Sequence, residues 1–311
     1  MLILDFITLL VASLISIGLY PVLIRCLTRL RMGQVIQPEL GRDHQAKAGT
    51  PTAGGALFVA LAVVGGLLAT HAGHPGAAPV TLAVLLFGLL GLVDDVAKRR
   101  LGAAGLRARW KLPLQALLAL PILAAAHGPQ HLLAGGSGWA VWALGVVAIV
   151  GAANAVNLTD GSDGLAGSSW AVVAVGLLLL LSGAPTGERA VGMTLAGGVV
   201  GFVVYNRYPA RIFMGDAGSL ALGAALAAMA IEQGWLLLLP LMGLVFVFET
   251  LSVIIQVTFF KVSGGRRVFR MTPIHLTFQL AGWSENRIAL AFGGVAAASV
   301  LASLALSRVL V

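Results

Sequence analysis

Charge is what this chain has least of. Asp, Glu, Lys and Arg make up 10% of its 311 residues, against 59% hydrophobic. A soluble globular fold is excluded, because so few charged residues could not cover so much apolar surface. Cysteine is almost absent too. Cys26 alone rules out an intramolecular disulfide framework and argues against a metal or redox site built on thiolates. No low-complexity tail, internal repeat or appended soluble domain is visible, so residues 1–311 read as a single domain.

What the chain has instead is long apolar runs. Ten are read, at 3–24, 52–70, 78–93, 112–127, 138–153, 164–182, 189–205, 217–232, 234–260 and 286–307. Runs of about 20 residues cross a bilayer core of roughly 30 Å as helices. Helices are expected because lipid offers the backbone no hydrogen-bond partners. The first run lacks a basic leader, is too long for the apolar part of a signal peptide, and is followed by Arg25 and Arg29. It reads as a first transmembrane helix. The ninth, from about Gly234 to Lys261, exceeds the usual requirement and is expected to tilt or break. The fold class expected is an all-α polytopic integral membrane protein of about ten helices.

A net charge of +8 invites a nucleic-acid reading, but the placement of the charges excludes it. Counting loops in chain order, every basic residue except Arg189 and Arg308 falls in an odd-numbered loop. By the positive-inside rule those loops are cytoplasmic and both termini lie outside, as an even number of spans requires. Asp94, Asp95, Asp160, Asp163, Asp216 and Glu285 gather at helix ends on the same face, and only Glu249 sits well inside a run. Ion pumps place acids near the midplane. Acids at the surface favour chemistry on a soluble substrate at the cytoplasmic face, with a membrane transporter as the reading from another class.

Three constellations carry that chemistry. Asp94 and Asp95 end the third run, and helical neighbours point about 100° apart, so they have different jobs. Lys98, Arg99 and Arg100 could equally balance them as an interfacial acid pair. The stretch Asn154-Ala-Val-Asn-Leu-Thr-Asp-Gly-Ser-Asp163 sets two amides and two carboxylates between apolar runs. Capping of the sixth span explains Asp163 alone and leaves Asn154, Asn157 and Asp160 over. In Phe213-Met-Gly-Asp-Ala-Gly-Ser219, Asp216 opens a helix whose N-terminus attracts phosphate. Phe213 could stack on a planar base or anchor the membrane interface. Mg²⁺ uses one or two protein carboxylates and takes its other ligands from phosphate and water. Surrounding cations would hold phosphates, and phosphoryl transfer depends mostly on positioning and charge neutralisation. The residue types point to an Mg²⁺-dependent phosphoryl-type transferase at a membrane surface.

Those stretches, with Lys47-Ala-Gly-Thr-Pro-Thr-Ala-Gly-Gly55, Gly105 to Gln115, Glu249 to Val257 and Arg270-Met-Thr-Pro-Ile-His275, resemble the polyprenyl-phosphate N-acetylhexosamine-1-phosphate transferase superfamily. The resemblance runs nearly the whole chain and is greatest to its peptidoglycan branch. It implies transfer of phospho-MurNAc-pentapeptide from its UDP carrier to undecaprenyl phosphate, releasing UMP and forming lipid I with Mg²⁺. The setting it implies is the bacterial inner membrane, among membrane lipid and as a homodimer. By position, Asp216 would be the main Mg²⁺ ligand. Asp94 and Asp95 would lie beside the acceptor phosphate, one removing its proton, and Lys98 and Lys111 would contact phosphates. Lys47, Asn154, Asn157, Asp160, Asp163 and Phe213 would line the nucleotide pocket, and His275 would act in the last loop. Direct attack by the lipid phosphate needs only a base and a metal; a covalent enzyme intermediate is the other route. Where the branch carries three histidines, an aromatic and an acid, this chain reads His275-Leu276-Thr277-Phe278-Gln279. The loss of two imidazoles bears on the sugar side and keeps open a relative that uses another UDP-HexNAc.

Overall fold

The computed structural model describes residues 2–33, 49–101, 105–126, 138–180 and 186–310. Its helices are α1 (Leu2–Arg29), α2 (Gly55–His71), α3 (Ala78–Leu101), α4 (Ala108–Ala125), α5 (Gly138–Thr159) and α6 (Leu165–Leu180). They continue with α7 (Thr186–Asn206), α8 (Gly215–Glu232), α9 (Leu239–Met242), α10 (Leu244–Val262), α11 (Ile274–Leu280) and α12 (Glu285–Leu310). Among the described residues there is no strand, only one antiparallel bridge between Gly33 and Pro51.

Nine of the ten apolar runs coincide with one helix each, and the ninth run is the exception. The expected span 234–260 is broken: Gly234 takes φ 71°, α9 is a single turn, and Gly243 separates it from α10. Six helices are long and apolar enough to cross a membrane by length and composition: α1, α3, α5, α7, α10 and α12. α2 and α6 are shorter apolar helices. The protein is an all-helical, polytopic membrane protein. Its lipid-facing surface is plain on α1 and α10, where Ile3, Phe6, Phe248, Ile254 and Val262 are exposed. In water so large an apolar patch would drive association.

The bundle is built around α8, in which every residue from Asp216 to Ile231 is buried. A helix apolar on all sides is an interior helix. Alanine and glycine dominate it, so α2, α3 and α5 pack at backbone distance. A Cβ on Gly91 of α3 would lie 2.0 Å from the Asp216 carbonyl oxygen, and one on Gly55 of α2 2.2 Å from the Gly218 Cα. Only glycine allows those approaches, and they fix the C-terminal half of α3 against the first turn of α8.

Candidate active site

The first turn of α8 is capped from another helix. Its own N-cap residue, Met214, makes no side-chain cap. Asp95 supplies it instead, its two oxygens accepting the N–H groups of Asp216 and Ala217 at 3.0 Å each. A carboxylate there satisfies two of the four free amides of a helix start and is favoured by the helix dipole.

Asp94, one residue earlier, turns to different partners. It is 1% exposed, and its oxygens accept the Leu106 N–H at 2.5 Å and the Lys111 ammonium at 3.0 Å. Lys98 approaches it at 3.2 Å and Asp216 at 2.6 Å. Lys111 also pairs with the other oxygen of Asp216. Asp94, Lys111, Asp216 and Lys98 thus form a closed ring of alternating charge. Asn157 donates to Asp216 at 3.2 Å and to Ser219 at 2.8 Å. This ring joins α3, α4 and α8, with Asn157 of α5 bonded to it. Among the described residues, no three His, Cys, Asp or Glu converge as in an all-protein metal cage.

Around it lie the other expected residues. Asp160 is half-buried in the turn after α5. Burial first, then the charges of Asp216 and Asp95, push its carboxyl well above the usual range. Asp163 is buried, donates its N–H to Glu285 at 2.7 Å and accepts the Ala210 N–H at 2.8 Å. That braces the α5–α6 turn against the loop before α8. Phe213 is half-buried there, its N–H bonded to Pro51 and its carbonyl to Gly54, both at 2.8 Å. Asn154 faces the other way, giving its amide to Gln115 and the Val150 carbonyl at 2.7 Å each. Lys47 lies outside the described residues.

His275 opens α11 and is joined through Nδ1 to Glu249 of α10 at 2.9 Å. Glu249, read from the sequence as an acid well inside a span, does lie within α10, a helix long and apolar enough to cross a membrane, and its partner His275 sits beneath Gly161 of the α5–α6 turn. α10 starts after the break at Gly243, and the loop that follows it folds back along it. Gln256 holds that return by accepting the N–H groups of Val268 and Phe269 at 3.0 Å each. Thr277 staples the loop by bonding to Met271, and Gln279 donates to Ser162 at 3.2 Å. Two of the three residues that depart from the His-rich motif, Thr277 and Gln279, therefore have bonds of their own. Sequence reasoning passed over Glu249 and Ser219 as site residues. The signal for Glu249 was its ionisable group inside an apolar run, which implies a partner.

An apolar groove of about 380 Å³ runs between α5 and α9–α10. Leu144, Gly151, Ala155, Phe246 and Leu251 are among its walls.

Residues 77–234 match the family model described as glycosyl transferase family 4. That span holds every expected site residue described above except His275. The chain is 43% identical over 317 residues to the phospho-N-acetylmuramoyl-pentapeptide-transferase of Moorella thermoacetica, covering 95% of this chain and 96% of that protein. It is 43% identical to the protein of that name from Bacillus cytotoxicus and 42% to that from Bacillus thuringiensis, with 92% of both partners covered each time.

Proposed function

The chain belongs to glycosyl transferase family 4, in its phospho-N-acetylmuramoyl-pentapeptide-transferase branch, and from that premise we propose how its residues act. It transfers phospho-MurNAc-pentapeptide from UDP to undecaprenyl phosphate, releasing UMP and forming lipid I. The observation that carries this reading to the residues is the Asp94–Lys111–Asp216–Lys98 ring at the N-terminus of α8. It offers paired carboxylates for a cation and paired ammonium groups for phosphates.

The donor set fits Mg²⁺. Two ammonium groups on Asp216 put positive charge where a divalent ion would sit, and two carboxylates match the number Mg²⁺ takes from protein. Asp216, with Asp94 beside it, would hold the ion, which withdraws charge from the diphosphate. One of the pair Asp94 and Asp95 takes the proton of the acceptor phosphate; Asp94 is held by Lys98, Lys111 and the Leu106 N–H, and Asp95 by the first turn of α8. The acceptor oxygen then bonds to the sugar-linked phosphorus as its bond to UMP breaks. Lys98 and Lys111 steady the phosphates. Asn157, Asp160, Asp163 and Phe213 form the nucleotide side, with Lys47 and Asn154 assigned there by the resemblance. The apolar groove between α5 and α10 takes the isoprenoid chain.

The ring faces the cytoplasm of the bacterial inner membrane in this reading. The single domain of residues 1–311 crosses ten times with both termini outside, α9 and α10 making one crossing, and it pairs as a homodimer. The bonds of Thr277 and Gln279 in place of the missing histidine and acid keep a different UDP-HexNAc donor as the second reading. Purified protein given undecaprenyl phosphate, Mg²⁺ and either UDP-MurNAc-pentapeptide or UDP-GlcNAc tests the two. The first donor is expected to yield lipid-linked product; product from UDP-GlcNAc alone would replace the first reading with the second.

A further inference from the structure

Two buried polar atoms next to the nucleotide turn have no role in the scheme above. His275 and Glu249 are 1% and 0% exposed and joined at 2.9 Å. Among the described residues, His275 Nε2 and Glu249 Oε1 have no hydrogen-bond partner. Such atoms are costly to leave unsatisfied and are uncommon in the interior of a folded protein. The second imidazole nitrogen is aimed at one place: a Cβ on Gly161 would lie 2.6 Å from it. Gly161 sits between Asp160 and Ser162 in the turn after α5, and Ser162 is held from α11 and α12 by Gln279 and Glu285. The imidazole edge therefore lies directly under the turn assigned to the donor, with glycine as the cover.

We propose that Glu249 is a positioning residue for the donor. It holds the proton of His275 on Nδ1 and so aims Nε2 through the gap at Gly161 toward the UDP-linked substrate. An ionised carboxylate accepts hydrogen bonds only, so the shared proton belongs to the imidazole, and the far nitrogen is the one left to meet a ligand. The logic is that of an outer carboxylate fixing the tautomer and ring plane of a working histidine. The loss of two neighbouring imidazoles from this loop leaves His275 as its one imidazole, which makes its orientation matter more. Glu249 thereby gains a purpose that an acid inside an apolar run otherwise lacks. The inference rests on the transferase reading for the identity of the ligand, but the proton placement stands without it.

Two measurements test it. In protein labelled with ¹⁵N-histidine, the His275 resonances are assigned by their loss in His275→Gln. The expected signature is a protonated Nδ1 bonded to carboxylate and a bare Nε2, with that Nδ1 signature lost in Glu249→Gln. In steady-state assays of UMP release, Glu249→Gln and Gly161→Ala are each expected to lower kcat/KM for the UDP donor about 10–100-fold while the KM for polyprenyl phosphate stays within about two-fold. The double variant is expected to lose no more than the worse single one, because both act on one ring. A proton on Nε2 in the wild type, or Glu249→Gln with normal donor kinetics, would overturn the proposal. So would equal losses toward both substrates with a lowered Tm, which is what a scaffold role gives. Wild-type protein that releases no UMP with either donor would instead sink the transferase reading, leaving the tautomer result to stand or fall by itself.

Discussion

At the scale of single residues, the site sets its acids apart by their neighbours. Asp94 and Asp216 are each held by two ammonium groups, Asp95 by backbone amides, and Asp163 by Ala210. At Asp160, burial and the charges of Asp216, Asp95 and Asp163 outweigh the pull of Lys98 and raise its carboxyl. Ionising it costs the folded protein more than the unfolded chain. Its contribution to stability therefore falls as pH rises above the unfolded value of about 4. Asp160→Asn is expected to match the wild-type Tm near that pH and to exceed it at neutral pH, while raising the KM for the donor. A lower Tm at neutral pH would contradict the assignment. This is the pattern of a residue kept for binding at the expense of stability.

At the scale of elements, the catalytic geometry depends on how closely α3 meets α8. Gly91 against the Asp216 carbonyl leaves no room for a methyl group. Gly91→Ala is expected to push α3 off α8, cost roughly 1–3 kcal/mol as overpacking does, and reduce turnover because Asp94 and Asp95 move with the helix. Thermal unfolding together with UMP release checks it; full activity would show that the contact does not set the site. The helices themselves were legible in the sequence, because apolar runs bounded by basic loops leave little choice in a bilayer. So were Asp94, Asp160, Asp163 and Asp216, as acids at helix ends. The Asp95 cap was not, since it joins residues 121 apart in the chain across a helix contact that periodicity does not report. The partner of Glu249 was hidden for a related reason. Residue counting does not report that the loop held by Gln256 folds back along α10 and brings His275 to that acid.

At the scale of the whole molecule, the chain separates a lipid-facing shell from a charged end. Nearly all its basic residues lie in alternate loops, and by the positive-inside rule the ring is expected to face the cytoplasm. The single cysteine offers a direct check, because Cys26 is exposed near the end of α1. A membrane-impermeant maleimide is expected to label it in inside-out vesicles and to leave it unlabelled in intact cells with the outer barrier removed. The reverse result would invert the topology and place the site on the wrong side for a nucleotide substrate. The central claim is that Asp216, held between Lys98 and Lys111 at the start of α8, organises transfer of a sugar phosphate from UDP to a lipid phosphate. It is tested most directly by UMP release from purified wild-type and Asp216→Asn protein, each given UDP-MurNAc-pentapeptide, undecaprenyl phosphate and Mg²⁺. The account predicts steady UMP formation by the wild type, loss of it with chelator, and at least about a 10³-fold lower rate in a folded Asp216→Asn variant, comparable to losing a main electrostatic contributor. Near-normal turnover by that variant, or no UMP from the wild type, would contradict it.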